Sequence, residues 1–183
     1  MPRLTNLPNI ISIARLLLVP LAVWLIVSGL YPAAFWLFVI AGVSDAVDGF
    51  FARLFDAQTP LGSYIDPLAD KMLLVGVYVT LGFQGLLPDW LVILVVFRDL
   101  LIIGGALLLY AMSDQSLSMA PLWVSKINTV AQLALAAIVL ARAALFFDDG
   151  GALEIMIYLV AATTFVSGMG YLGRWIRGMA VDV

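Results

Sequence analysis

Six apolar runs divide this chain, and polar residues collect between them and at their ends. The runs lie near residues 8–30, 32–54, 66–85, 88–112, 121–146 and 151–175, each about the 20 residues that a bilayer-spanning helix needs. Prolines mark their starts. Pro8, Pro32, Pro67, Pro88 and Pro121 each precede or open a run, as suits a residue with no N–H to lose in a first helical turn. Pro20 falls inside the first run and predicts a kink there. No internal repeat or low-complexity linker breaks the pattern. It predicts an all-α integral membrane protein of six transmembrane helices, forming one domain over residues 1–183.

Composition agrees: the chain is 64% hydrophobic and 11% charged, with a mean hydropathy of +1.11. Six spans use up nearly all 183 residues, so no soluble domain is expected. A net charge of −3 without a basic run argues against nucleic acid as a partner. Arg3 ahead of an apolar stretch has the outline of a signal peptide. That stretch is too long, carries Arg15 and lacks a small-residue cleavage site, so it reads as a retained first helix. An Arg- and Ser-rich transit segment is missing, which points to a bacterial inner membrane.

Basic residues set the orientation. Arg3, Arg53, Lys126, Arg174 and Arg177 fall at or near ends on the N-terminal side of a six-span arrangement. The opposite connections carry Asp89, Asp148 and Asp149, with Arg142 the dissenter. Both termini and the 54–66 connection are therefore expected in the cytoplasm.

Against this background Asp45, Asp48, Asp66 and Asp70 stand out, four carboxylates within 26 residues. An ionised group at membrane depth costs roughly 2.5–3.5 kcal/mol, and marks function by default. Asp45, Asp48, Gly49 and Ala52 fall at i, i+3, i+4 and i+7, one face of a helix. Asp66 and Asp70 fall at i and i+4 on the next helix, with Asp66 placed to cap it and Pro67 to fill its first position. A short connection makes the two helices antiparallel neighbours, so the pairs can converge near the cytoplasmic surface.

Such a cluster repels itself unless cations neutralise it. The chain has no Cys and no His, which removes thiolate and imidazole chemistry and disfavours zinc. Oxygen ligands suit Mg²⁺, Mn²⁺ or Ca²⁺. Two such ions roughly 3.5–4 Å apart would satisfy four carboxylates and suit in-line displacement at phosphorus. Gly49 and Ala52 leave room for a substrate, Arg53 can hold phosphate oxygens in a bidentate pair, and Gly62 allows the chain to turn back. Each residue alone has a structural reading: Asp45 and Asp48 as partners of Arg53 or Lys71, Asp66 as a cap, Gly49 and Ala52 as packing residues. The combination is what favours a site.

The series Asp45, Asp48, Gly49, Ala52, Arg53, Gly62, Asp66, Asp70 resembles the signature of the CDP-alcohol phosphatidyltransferase family at every fixed position. That resemblance implies a six-helix membrane enzyme, usually a homodimer, that uses a CDP-linked donor, releases CMP and requires two divalent cations, Mg²⁺ or Mn²⁺. By position, Asp45, Asp48, Asp66 and Asp70 would bind the metals. Asp70 would also be the base for the acceptor hydroxyl, and Asp48, Gly49, Ala52, Arg53 and Gly62 would contact the CDP group.

Other segments resemble the eukaryotic-type cardiolipin synthase branch of that family. They are Asn6–Arg15, Leu61–Ser63, Asp66–Lys71, Arg98-Asp99, Ser125–Thr129 and the Thr163-Thr164 region. The glycerol-3-phosphate branch more often has Arg-Glu where Arg98-Asp99 stands and Lys-x-Lys-Thr in the fifth helix, a pattern from which Asn128 departs. The implied reaction joins CDP-diacylglycerol to phosphatidylglycerol in the bilayer, giving cardiolipin and CMP. Arg98, Asp99, Lys126 and Arg15 are the candidates for binding the acceptor lipid. That sparse positive charge suits a single phosphodiester better than the nearly two charges of glycerol 3-phosphate. Glycerol 3-phosphate as acceptor remains the alternative. Arg98-Asp99 also reads as a self-neutralising buried pair, and Lys126, Arg15 and Arg142 as side chains reaching for headgroups. A divalent-cation carrier would explain the aspartates but gives no reason for Gly49, Ala52, Arg53 and Gly62.

Overall fold

The computed structural model describes the backbone of residues 7–54, 62–112, 123–145 and 150–181, and side chains within 16–44, 71–105, 123–145 and 150–175. Among these residues it is all-helical, with α1 (Leu7–Val27), α2 (Tyr31–Leu54), α3 (Gly62–Phe83), α4 (Asp89–Met112), α5 (Trp123–Leu145) and α6 (Ala152–Val181). All six expected helices form. Pro32 is the second residue of α2 and Pro88 directly precedes α4, as the missing N–H dictates. Pro20 lies within α1, and Pro121 falls outside the described residues.

One boundary needs correcting. α3 begins at Gly62, so Asp66 is not its cap and Pro67 is not its first residue. The turn Gly62–Ile65 is polar at its start and carries no apolar periodicity to announce a helix. Pro67 consequently sits in the second turn and withholds one N–H from the backbone ladder.

The chain forms two compact units. The first contains α1, α2, α3 and the second half of α5. Both α2 and α3 pack on α1, the pairing with α3 being the more extensive. The face of α3 turned inward repeats at helical spacing through Leu74, Val77, Tyr78 and Leu81, all buried. Gly76 permits the close approach: a Cβ there would stand 3.2 Å from Val19 Cγ1.

α1 and α3 end in the same way. Gly29 (φ 72°) and Gly85 (φ 70°) adopt the left-handed conformation that glycine tolerates best. Leu30 N–H donates to Leu25 O and Gly29 N–H to Ile26 O; Leu86 N–H donates to Leu81 O and Gly85 N–H to Gly82 O. These paired bonds satisfy carbonyls that the helices leave over. Gln84 Nε2 adds a bond of 3.2 Å to Val27 O, so the end of α3 caps the end of α1.

The second unit contains α4, the first half of α5, and α6. α4 and α6 run parallel, since their contacts advance together: Trp90 stacks on Tyr158, Arg98 bonds Ser167, and Gly105 meets Trp175. At Gly105 a Cβ would lie 1.5 Å from the Trp175 ring, so the indole rests on bare α4 backbone.

Large apolar side chains also face outward. Ile93, Phe97 and Leu100 form an exposed stripe along α4, and Phe83 is 85% exposed. Among the described residues, Trp123–Leu145 and Ala152–Trp175 are long and apolar enough to cross a membrane. Shorter apolar stretches occupy 16–27, 31–44 and 71–83.

Candidate functional site

The four aspartates lie on two helices of the first unit. Asp45 and Asp48 occupy the last turns of α2, with Gly49, Ala52 and Arg53 following on the same continuous helix. Asp66 and Asp70 occupy the opening turns of α3, and Gly62 is its first residue. The helical backbone thus supplies the i, i+3 and i, i+4 spacings that the sequence implies. The side chains of these residues, and that of Arg15 in α1, lie outside the described ones. As a donor set, four carboxylates in a chain without His or Cys suit hard divalent cations. No group of three or more acidic, His or Cys residues occurs among the described residues.

The second unit holds a polar layer that the structure describes atom by atom. Arg98 and Asp99 of α4 are 2% and 1% exposed, and Arg98 Nη1 lies 2.6 Å from Asp99 Oδ1. Arg98 Nη2 donates to Ser125 Oγ of α5 and Ser167 Oγ of α6, each at 2.5 Å, and Nε donates to Ser167 Oγ at 3.2 Å. One planar guanidinium therefore ties three helices together, a task for which its fixed fork is suited. One turn further along α5, Asn128 Oδ1 accepts from the Thr163 and Thr164 hydroxyls of α6, both at 2.8 Å. Asn128, Gln132, Thr164 and Ser167 are fully buried.

This layer sorts the expected acceptor residues. Arg98 and Asp99 lie inside the unit with their charges turned on each other, whereas Lys126 is exposed at the start of α5, its ammonium 5.0 Å over the Trp123 ring. Ser125 bonds Arg98 and is the immediate neighbour of Lys126, so the buried pair fixes the turn that presents the exposed cation. Ser125, Asn128, Thr163 and Thr164 enter the sequence reading only through a resemblance, and Ser167 does not enter it at all. Their spacing is the available signal: Ser125, Asn128 and Gln132 fall at i, i+3 and i+7, a polar stripe on an otherwise apolar helix.

Residues 5–167 match the family model described as CDP-alcohol phosphatidyltransferase. A protein of Oryza sativa subsp. japonica named CDP-diacylglycerol--glycerol-3-phosphate 3-phosphatidyltransferase 1, chloroplastic, is 39% identical, covering 92% of this chain and 56% of its own length. The Homo sapiens protein named cardiolipin synthase (CMP-forming) is 33% identical, covering 91% of this chain and 60% of its own. A putative cardiolipin synthase of Mycobacterium tuberculosis is 36% identical over 112 residues, covering 60% of this chain and 53% of its own. The chain thus spans a little over half the length of these relatives. With its signature residues set on α2 and α3 and the family model matched along most of its length, the chain belongs to the CDP-alcohol phosphatidyltransferase family.

Proposed function

We propose that the chain acts as a cardiolipin synthase, moving a phosphatidyl group from CDP-diacylglycerol to phosphatidylglycerol and releasing CMP. A glycerol hydroxyl of the acceptor attacks the phosphatidyl phosphorus. The new P–O bond forms as the bond to CMP breaks, and the hydroxyl proton passes to Asp70. Asp45, Asp48, Asp66 and Asp70 hold two divalent cations, Mg²⁺ or Mn²⁺, which when bound offset the charge of the diphosphate. Asp48, Gly49, Ala52, Arg53 and Gly62 bind the CDP group, Arg53 through paired bonds to phosphate oxygens. Lys126 meets the acceptor phosphate, and Arg98 with Asp99 positions the helix turn that carries it.

The observation that supports the acceptor assignment is the buried, uncharged Asn128 of α5, where the glycerol-3-phosphate branch more often has a Lys, in a layer whose Arg98 is already matched by Asp99 at 2.6 Å. A pocket for the nearly two charges of glycerol 3-phosphate calls for uncompensated cations. Here one of the expected cations is already matched, which leaves a charge balance suited to a phosphodiester. A second reading, with glycerol 3-phosphate as acceptor, is favoured by the printed name of the rice relative and its 39% identity.

In this reading residues 1–183 act as one membrane-embedded catalytic domain with six spans and function as a homodimer. The shortest helix has 21 residues, or about 31 Å at 1.5 Å per residue, enough for the hydrocarbon core. The exposed stripes of α4 and α6 face lipid. The distribution of Arg and Lys sets the aspartate-bearing ends on the cytoplasmic side of a bacterial inner membrane. Purified protein given Mg²⁺, CDP-diacylglycerol and phosphatidylglycerol should release CMP and form cardiolipin. Turnover with glycerol 3-phosphate alone would replace this reading with the second.

A further inference from the structure

Hydrogen bonds within the second unit fix the level of early α5 against α6. Asn128 Oδ1 accepts from Thr164 at 2.8 Å, and Arg98 Nη2 bridges Ser125 and Ser167. Three residues back on α5 thus match three residues forward on α6, so the helices run antiparallel and Lys126 stands level with Val166. Tyr158, stacked on Trp90, and Trp175, resting on Gly105, lie about 26 Å apart along α6 at 1.5 Å per residue. That distance is close to the thickness of a hydrocarbon core, and Tyr and Trp are the residues that favour its borders. Lys126 is about 12 Å from the Tyr158 level and about 14 Å from the Trp175 level, near the middle.

At this depth Lys126 is exposed. Four methylenes do not carry its charge out. The ammonium lies 5.0 Å over the ring of Trp123, one turn back along α5 and still about 9 Å short of the Trp175 level. No carboxylate pairs with it among the described residues, Asp99 being turned on Arg98 in the interior. A cation held so deep is costly unless an anion comes to it. The same face of α5 carries Trp123, Ile127 and Val130, which are 78%, 56% and 66% exposed and fall at helical spacing about Lys126. The exposed stripe of α4, Ile93, Phe97 and Leu100, bears no charge, as contact with lipid tails alone requires. The stripe of α5 differs from it by one cation.

We infer that this face of α5 docks an anionic phospholipid from the bilayer. Lys126 meets its phosphodiester, Trp123 lies beside the headgroup, and Ile127 and Val130 lie along an acyl chain. The lipid is the acceptor of the function proposed above, so the inference rests on that reading and deepens it. The acceptor enters sideways from the membrane, its headgroup drawn below those of its neighbours. Free glycerol 3-phosphate has no chain to lay on Ile127 and Val130.

The chain has no cysteine, so Val130→Cys carries a lone thiol for a bimane label, and Ile93→Cys on the α4 stripe is the control. The labelled protein is placed in phosphatidylcholine vesicles with a minor fraction of phosphatidylglycerol brominated in its acyl chains, or the same fraction of brominated phosphatidylcholine. Quenching at the Val130 position should correspond to phosphatidylglycerol enriched about fivefold over its bulk fraction, and at the Ile93 position to no enrichment. Lys126→Met should abolish the enrichment and Lys126→Arg should keep it, since either cation meets a phosphodiester. Equal quenching by the two lipids at the Val130 position, equal enrichment at the Ile93 position, or enrichment that survives Lys126→Met overturns the inference. The readout needs no turnover, which separates it from the acceptor assignment. Lys126-dependent enrichment in an enzyme that uses only glycerol 3-phosphate removes the proposed acceptor and leaves the docking face. Cardiolipin formation without enrichment removes the docking face alone.

Discussion

Replacing Arg98 with Met tests whether the polar layer is held by the guanidinium. Arg98 and Asp99 are 2% and 1% exposed and 2.6 Å apart, so removing the cation leaves a carboxylate buried without its counter-charge. Breaking such a pair by deleting one member costs about 3–5 kcal/mol, whereas replacing both members with apolar residues is often neutral. The serines that lose a donor add little, because hydroxyls on helices can turn to the carbonyl four residues back. Thr80 does so to Gly76 O at 2.6 Å and Thr129 to Ser125 O at 3.1 Å. Arg98→Met should therefore lower stability by about 3–5 kcal/mol, or roughly 6–20 °C in Tm for a chain of this size. Asp99→Leu should do the same, and the double variant should recover most of the loss. Thermal unfolding of the four purified proteins in detergent, followed by the fluorescence of the five tryptophans, closes the cycle. An Arg98→Met variant within about 1 kcal/mol of wild type, or losses that simply add, would refute the coupling.

Two further outcomes are expected. Asp70→Asn should lower CMP release by about 10²–10⁴-fold, the range for loss of a general base, while Mg²⁺-dependent binding of CDP-diacylglycerol is partly retained. Normal turnover in that variant would remove Asp70 from the chemistry. Gly105→Ala places a methyl 1.5 Å from the Trp175 ring and should cost about 1–3 kcal/mol in thermal unfolding. That cost should largely vanish when Trp175→Leu is made first; the same cost in both backgrounds would refute the indole contact.

The helices were legible because long apolar runs obey a length rule and because proline marks their starts at positions fixed by its missing N–H. The ends of α1 and α3 were not read from the sequence; Gly29 and Gly85 close them in the structure, each through the same pair of bonds. The start of α3 was hidden because it opens on Gly62 and Ser63 rather than on an apolar run, and Asp66-Pro67 imitates a helix opening from within a helix. The aspartate spacings could be read directly, since i, i+3 and i, i+4 depend on one helix at a time. Partners on different helices could not. That Arg98 would reach Ser125 and Ser167, or Asn128 reach Thr163 and Thr164, depends on the register of α4, α5 and α6, and an apolar periodicity specifies a face without fixing that register. The same limit explains why Arg98 stood as an acceptor contact and as half of a buried pair until its neighbours were known.

The central claim is the identity of the two lipids that meet at the transferred phosphorus. Purified protein in liposomes should be given Mg²⁺, unlabelled CDP-diacylglycerol and phosphatidylglycerol deuterated in its acyl chains, with products read by mass spectrometry. The account predicts cardiolipin carrying one labelled and one unlabelled phosphatidyl group, with one CMP released per molecule formed and no product when Mg²⁺ is chelated. Cardiolipin with both halves labelled, or phosphatidylglycerophosphate as the product when glycerol 3-phosphate is supplied instead, would contradict it.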